Sequence, residues 1–342
     1  MDATSRQSTV ANVPPYARSI EGTIMPGSMA TLKDIAERTG VSVRTVSRAL
    51  SGTGYVNADL RDRVQATARE LGYTPDPLAR SLRLGRTQEV IAIAITVDEL
   101  HMARIAGLEH HLRAHGHSTG VQMVDERELA SPDDLVATLL RRRPAGVAIA
   151  SRSGLEVQPL CRALSRVGIR YVVMDSQGAL PGVRIDRAAG VAQAVRYLSD
   201  SGRKTIAYVG PALSMDRIVG YRSAIEELGL SELLFDPGEA YRRSIPALLG
   251  RFPDLDAIQA YSDERALELL AGLHDAGVRV PDDVAVIGFD DRWAARYAWP
   301  PLTTVAQPSR AVGEEAARFL LATEEEQCDR SLPTTLVVRE SA

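Results

Sequence analysis

Between Thr31 and Leu50 the apolar positions recur at helical spacing, break, and recur again. Leu32, Ile35 and Ala36 fall on one face of a first short helix. The pattern stops at Thr39-Gly40 and restarts after Ser42 with Val43, Val46, Ala49 and Leu50. Gly40 suits a turn that needs positive φ, and Ser42 suits an N-cap whose hydroxyl accepts a first-turn N–H. Two short helices joined by a Gly-containing turn are the sequence form of a helix-turn-helix. A loop with Gly52 and Gly54 follows, and Asn57 is placed to cap a third helix over 58–71. Leu60, Val64, Ala68 and Leu71 share one face of that helix, enough to close a three-helix core.

The second helix also carries suitable chemistry. With Val46, Ala49 and Leu50 turned to the core, Val43, Arg44, Ser47 and Arg48 lie outward or near the N-terminal end. A recognition helix presents such residues to base edges in the major groove, where arginine pairs with guanine O6 and N7. Serine and threonine hydroxyls suit phosphate oxygens. The competing reading of these residues is an ordinary helical hairpin with solvated arginines.

Beyond residue 88 the periodicity changes. Glu89–Thr96 is a continuous apolar run, as expected of a strand covered on both faces. Strands at 118–124, 146–150 and 171–174 alternate with helices at about 100–113, 132–141 and 155–167. A second set begins with Val183–Ile185 and a helix over 188–201. It continues with strands at 205–209, 257–261 and 284–289 and helices at 216–228, near 239–249, and at 264–276. Steady alternation predicts parallel α/β sheets. Two such lobes enclose a cleft beyond the carboxyl ends of their strands, the usual ligand position in open α/β sheets.

Composition narrows the class. The chain has 342 residues, 45% hydrophobic and 25% charged, as in globular proteins with two or three domains. The net charge is only −4, but its distribution is uneven. Residues 30–87 carry ten Lys and Arg against six Asp and Glu, a basic head on an acidic body. Cys161 and Cys328 are far apart and in no metal-ligand spacing, and they read as reduced thiols of a cytoplasmic protein. No apolar run is long enough for a membrane span, so no membrane partner is expected. Residues 1–28 lack a signal peptide's apolar stretch and read as a disordered extension, with Met1, Met25 and Met29 all candidate starts.

Three stretches carry a family resemblance: TLKDIAERTGVSVRTVSRALSG from Thr31, VNADLRDRV from Val56, and ELGYTPDPLARSLRLGRT from Glu70. They resemble the LacI/GalR (lac repressor) family of bacterial transcriptional regulators. Looser matches continue through Gly220-Tyr221-Arg222, Val280 to Val284, Gly288 to Asp291, Pro300 to Val305 and Leu336 to Ser341. The resemblance implies an all-α helix-turn-helix head at 29–74 and a hinge helix and linker at 75–87. It implies an α/β periplasmic-binding-protein-like body of two lobes at 88–342. The first lobe is expected at about 88–183 and 307–330, the second at 184–306 and 331–342. By residue match, Val43, Arg44 and Arg48 would read bases. Ser42, Thr45, Ser47, Ser51, Tyr55 and Asn57 would hold phosphates or seat the loop. Leu82, with Ala79 beside it, would wedge the minor groove, a step that costs a few kcal/mol and is offset by extra contacts.

The same match places Arg217, Ser262 and Asp290 in an effector cleft, with Asp98 and Asp175 ending strands on the first lobe's side. A carboxylate and a guanidinium can clamp a polyol or an acid. For Asp98, Asp175 and Ser262 a plain N-cap or turn role is the alternative. Two departures put a plain sugar in doubt. The loop Val97-Asp98-Glu99-Leu100-His101-Met102 is short and lacks the family's stacking aromatic. The usual Asp-Asn after the crossover is Asp186-Arg187.

Other classes are less well served. No phosphate-binding Gly loop, no Gly-x-Ser-x-Gly and no paired metal motif point to an enzyme, and no cofactor is implied. His111 and His115, four apart near His110 and His117, could share a metal, or simply complement a helix end. A periplasmic solute-binding protein would need a signal peptide and no head. A ligand-independent architectural DNA-binder would share the head and ignore metabolites. The expectation is a cytoplasmic, homodimeric regulator binding double-stranded DNA under control of a small-molecule effector.

Overall fold

The computed structural model describes residues 30–52, 55–73, 87–150, 157–176, 180–211, 215–323 and 330–342. The chain divides at Asp76/Pro77 into two compact units. In the first, α1 (Leu32–Thr39), α2 (Val43–Ser51) and α3 (Ala58–Glu70) surround a small core. Ile35, Ala36, Val46, Ala49, Val56, Val64 and Ala68 are buried there. Local chemistry sets the boundaries. Thr31 and Asp34 form a reciprocal capping box at the start of α1, and Gly40 ends the helix at φ 69°. The Ser42 hydroxyl accepts from Thr45 N at 3.2 Å. Asn57 caps α3 by accepting from Asp59 N at 2.9 Å.

The second unit contains two six-stranded sheets. The first runs β11-β5-β4-β3-β1-β2, from Arg330–Pro333, Gly182–Asp186, Tyr171–Met174, Gly146–Ala150, Glu89–Ala94 and Ser118–Met123, every pair parallel. The second runs β12-β10-β9-β8-β6-β7, from Thr335–Val337, Thr303–Ala306, Ala285–Asp290, Ala257–Ala260, Ile206–Val209 and Leu233–Phe235. Only β10 and β12 pair antiparallel among them. The central strands β3 and β9 are buried at every residue, which is why they read as unbroken apolar runs. The first lobe's helices are α4 (Glu99–Ala114), α5 (Glu126–Ala130), α6 (Asp133–Arg142) and α7 (Gln158–Arg166). Then come α8 (Arg187–Asp200), α9 (Met215–Leu228), α10 (Ile245–Arg251), α11 (Asp263–Asp275) and α12 (Ser309–Leu321). Each sheet has an apolar core on both faces.

Glycines allow the closest helix crossings. A Cβ on Gly313 of α12 would lie 1.8 Å from the carbonyl oxygen of Arg104 in α4, and one on Gly107 of α4 would lie 2.1 Å from that of Arg310. The second lobe repeats the device, since a Cβ on Gly220 of α9 would meet the Ala188 carbonyl of α8 at 2.1 Å.

The lobe assignment needs one correction. The strand at 183–185, expected to open the second lobe, is β5 and pairs with β4 in the first sheet. Residues 331–333, likewise expected in the second lobe, belong to β11 and pair with β5. The chain therefore crosses at Asp186/Arg187, at 306–309 and at 333–335, where Thr334 lies between β11 and β12. Strands on both sides of a crossover have the same apolar pattern, so periodicity alone could not assign them to a sheet. The helix expected near 239–249 is a 3₁₀ turn, Arg242–Ser244, leading into α10.

Candidate nucleic-acid surface and effector cleft

The head presents a polar surface built on the start of α2. Val43 is 45% exposed, and Ser42, Arg44, Arg48, Ser51 and Asn57 are exposed around it. Thr45 and Ser47 are half-buried, and Tyr55 projects at 95% exposure from the following loop. Val46 and Ala49 are buried, which turns Arg44 and Arg48 outward. The first turn of α2 holds no acidic residue to oppose an anion at its N-terminus. Ala79 and Leu82 lie outside the described residues.

In the body, the ends of β4 and β9 carry the two principal carboxylates. Asp175 and Asp290 are buried, at φ 75° and 121°, conformations that non-glycine residues adopt rarely. Arg104 of α4 donates to Asp175 Oδ2 at 3.0 Å, and Arg187, just past the first crossover, donates to the same oxygen. Gln307, on the second crossover, joins the lobes. Its Oε1 accepts from Arg104 and Arg187 at 3.3 Å each, and its Nε2 donates to Asp290. Arg217 of α9 reaches Asp290 at 3.4 Å, with its guanidinium over the Tyr261 and Phe289 rings at 4.2 and 4.3 Å.

The environments separate the two carboxyls. Burial pushes Asp175 up, but Arg187 and Arg104 outweigh it and hold the group below the ordinary carboxylate range. For Asp290 burial wins over Arg217 and Gln307, and its pKa is raised. Asp263, fully buried at the start of α11, is pushed up to about 7 by burial, with Asp290 and Asp291 adding to the rise. It accepts from Thr304 Oγ1 and, at 2.7 Å, from Arg292 N.

The cleft mouth is also bridged. Glu99 of the first lobe accepts the Trp293 N–H of the second, with oxygens at 3.0 and 3.1 Å. Arg292 approaches Asp98 at 3.7 Å. Asp98 also caps α4, accepting from His101 N at 2.9 Å, and Ser262 caps α11, accepting from Arg265 N at 3.4 Å.

Comparison with known proteins agrees with this architecture. Residues 31–76 match the model of bacterial regulatory proteins of the lacI family, and 195–342 match a periplasmic binding protein-like domain. The transcriptional regulator CelR of Thermobifida fusca is 33% identical over 337 residues, covering 91% of this chain and 98% of that one. RegA of Clostridium saccharobutylicum, another transcriptional regulator, is 30% identical over 310 residues, covering 86% and 92%. The chain belongs to the LacI family. Its relatives are HTH-type transcriptional regulators and not enzymes. A solved CelR–cellobiose complex matches with a TM-score of 0.66 at 30% identity, covering 92% of this chain and 100% of that one.

Within this LacI-family body the structure brings Asp98, Asp175, Arg217 and Asp290 into one connected polar network and leaves Ser262 as a helix cap beside it. Sequence reasoning missed Arg104, Arg292, Gln307 and Glu99. Arg104 sits in α4 among apolar residues, and only the fold shows it 2% exposed against Asp175. Arg187 could have been found, because Asp186-Arg187 already stood out as a departure. His111 and His115 stack at 4.5 Å, with His115 Nδ1 at 2.8 Å from the His111 carbonyl. Among the described residues no group of three or more potential ligands could hold a metal ion, and no helix is long and apolar enough to cross a membrane.

Proposed function

We propose that this LacI-family protein is a cytoplasmic transcriptional repressor that binds a pseudo-palindromic operator as a homodimer. Its affinity would be set by a small-molecule effector, a sugar, sugar acid or related metabolite, in the inter-lobe cleft. Val43, Arg44 and Arg48 read base edges in the major groove. Ser42, Thr45, Ser47, Ser51, Tyr55 and Asn57 hold phosphates or seat the loop. Leu82, with Ala79 beside it, enters the minor groove and bends the DNA. Asp98, Asp175, Arg217, Ser262 and Asp290 surround the effector.

The observation that carries this reading is one chain bearing two features. An α2 surface exposes two arginines, and a cleft buries polar side chains from both lobes in one network. That network offers a mechanism. Gln307 and the arginine pair connect Asp290 to Asp175, so a molecule that exchanges partners with either carboxylate changes what holds the lobes together. The effector acts through its different affinity for the two lobe arrangements, and by linkage DNA alters effector binding by the same factor.

The test is a gel shift of fragments from the protein's own gene neighbourhood, with and without a panel of sugars, sugar acids and phosphorylated metabolites. A specific shift that one compound reverses or strengthens is expected. A specific shift indifferent to every compound would instead favour a ligand-independent DNA-binder, and the absence of any specific shift would refute the operator reading.

A further inference from the structure

The cleft's hydrogen-bonding groups are not evenly matched. Arg104, Arg187 and Arg217 are each at least nine-tenths buried, and Arg292 is four-fifths buried. A guanidinium is a donor only, with more N–H groups than one or two carboxylate oxygens satisfy. Among the described residues, Asp175, Asp290 and the part-buried Asp98 pair with these arginines inside the cleft. Two further partners, Asp216 at 4.0 Å from Arg187 and Glu264 at 3.4 Å from Arg292, are substantially exposed and shared with water. Arg217 Nε and Arg292 Nε are buried and donate no hydrogen bond among the described residues, and Arg292 Nε keeps only a 3.7 Å ion-pair contact with Asp290 Oδ2. The first lobe shows the opposite need. Asp175 Oδ1 and Ser176 Oγ are buried without a partner among the described residues. Buried polar groups are normally satisfied, so water or a ligand is expected to complete these contacts.

We propose that the cleft takes an anionic polyol, its charged group accepted by Arg217 and Arg292 and a hydroxyl donated to Asp175. The proposal rests on the cleft being the effector site and narrows what that effector is. An acceptor-only group, carboxylate or phosphate, meets the second lobe's surplus of donors. A ligand hydroxyl can give its proton to Asp175 Oδ1, and Ser176 Oγ is a second buried group of the first lobe that can donate or accept. Asp290 stands between the two arginines, and its burial there raises its pKa. The short Val97–Met102 loop offers no aromatic face for a neutral sugar ring.

The experiment is isothermal titration calorimetry of the full-length protein at matched ionic strength. D-gluconate and D-glucose 6-phosphate are compared with neutral D-glucose and sorbitol. At least one anion is expected to bind at least about tenfold tighter than either neutral compound, and the stronger of the two separates carboxylate from phosphate recognition. Arg217→Lys, which keeps the charge and loses the planar fork, is expected to weaken that anion about tenfold. Ser176→Ala, which removes an unpaired hydroxyl and leaves the fold intact, is expected to weaken it by less. A neutral polyol that binds as tightly as the anions and changes operator affinity overturns the charge assignment while leaving effector control in place. No binding by any of the four overturns the charge assignment too, and effector control is then decided by the gel shift.

Discussion

The same substitution, Gly to Ala, should have opposite effects at two helices of this protein. On Gly313 the new methyl would sit 1.8 Å from the Arg104 carbonyl oxygen and 2.6 Å from Leu108 N, both backbone atoms. Ordinary contact begins near 3.4 Å. The helices α4 and α12 must therefore separate by about 1.5 Å or tilt apart, since no side-chain rotation relieves the overlap. That opens the seam in which Leu108, Leu112, Val312 and Ala316 are buried. A gap of even ~1 Å forfeits up to about half of each dispersion contact it interrupts. Overpacking of this kind costs about 1–3 kcal/mol, and the helix-propensity gain of about 1 kcal/mol offsets only part of it. We expect Gly313→Ala to lower stability by about 2 kcal/mol, roughly a 1 M fall in the urea midpoint followed by far-UV circular dichroism. Gly250 is the control. It lies exposed in α10 with nothing within 4 Å of its Cβ position, so Gly250→Ala should be neutral or stabilise by up to about 1 kcal/mol. If Gly313→Ala proves as stable as the unsubstituted protein, the close crossing does not hold in solution and the reasoning fails.

Three further outcomes can be checked. Asp263 has a folded pKa of about 7, well above that of an unfolded aspartate, so the folded state binds the extra proton. Its contribution to stability is therefore present at low pH and is lost as pH rises through about 4 to 7. Asp263→Asn should flatten that decline in urea titrations at several pH values, and an unchanged profile would assign the pH dependence elsewhere. Asp175→Ala should leave Arg104 and Arg187 buried without their carboxylate and cost about 3–5 kcal/mol in the same unfolding assay; a loss below 1 kcal/mol would mean water reaches the pair. Arg44→Ala should cost about 1–3 kcal/mol of operator binding and relax base preference at one position in gel shifts with variant operators. Unchanged specificity would leave Arg44 a phosphate contact.

The head was legible because its signals are local. Capping residues, the Gly40 turn and the spacing of Ile35, Val46 and Val64 are all set within a few turns of helix. The alternation of strands and helices was legible for the same reason. Partner choice across long separations was not. Nothing near Gly182–Asp186 tells it to pair with β4 and β11, because that depends on the path of the chain after the strand ends. The cleft divides along the same line. Arg217 and Asp290 could be located by resemblance, and Asp98 and Asp175 by their place at strand ends. Arg104 could not, since an arginine on a helix normally reads as solvated and becomes a cleft residue only when Gly107 and Gly313 bring α12 against it. Gln307 carries no signature of its own until the fold sets it between Asp290 and the arginine pair.

All three crossings leave from the same margin of each sheet. They involve β5 and β11, the outermost pair of the first, and β10 and β12, the outermost pair of the second. Three tethers fixed along one edge behave like the leaves of a door hinge: they bend together easily but resist shear and twist. Relative motion of the lobes would then reduce in effect to a single angle. On the proposed reading, a compound that binds between the lobes would act by changing that angle, and many different molecules could be read out through one mechanical coordinate.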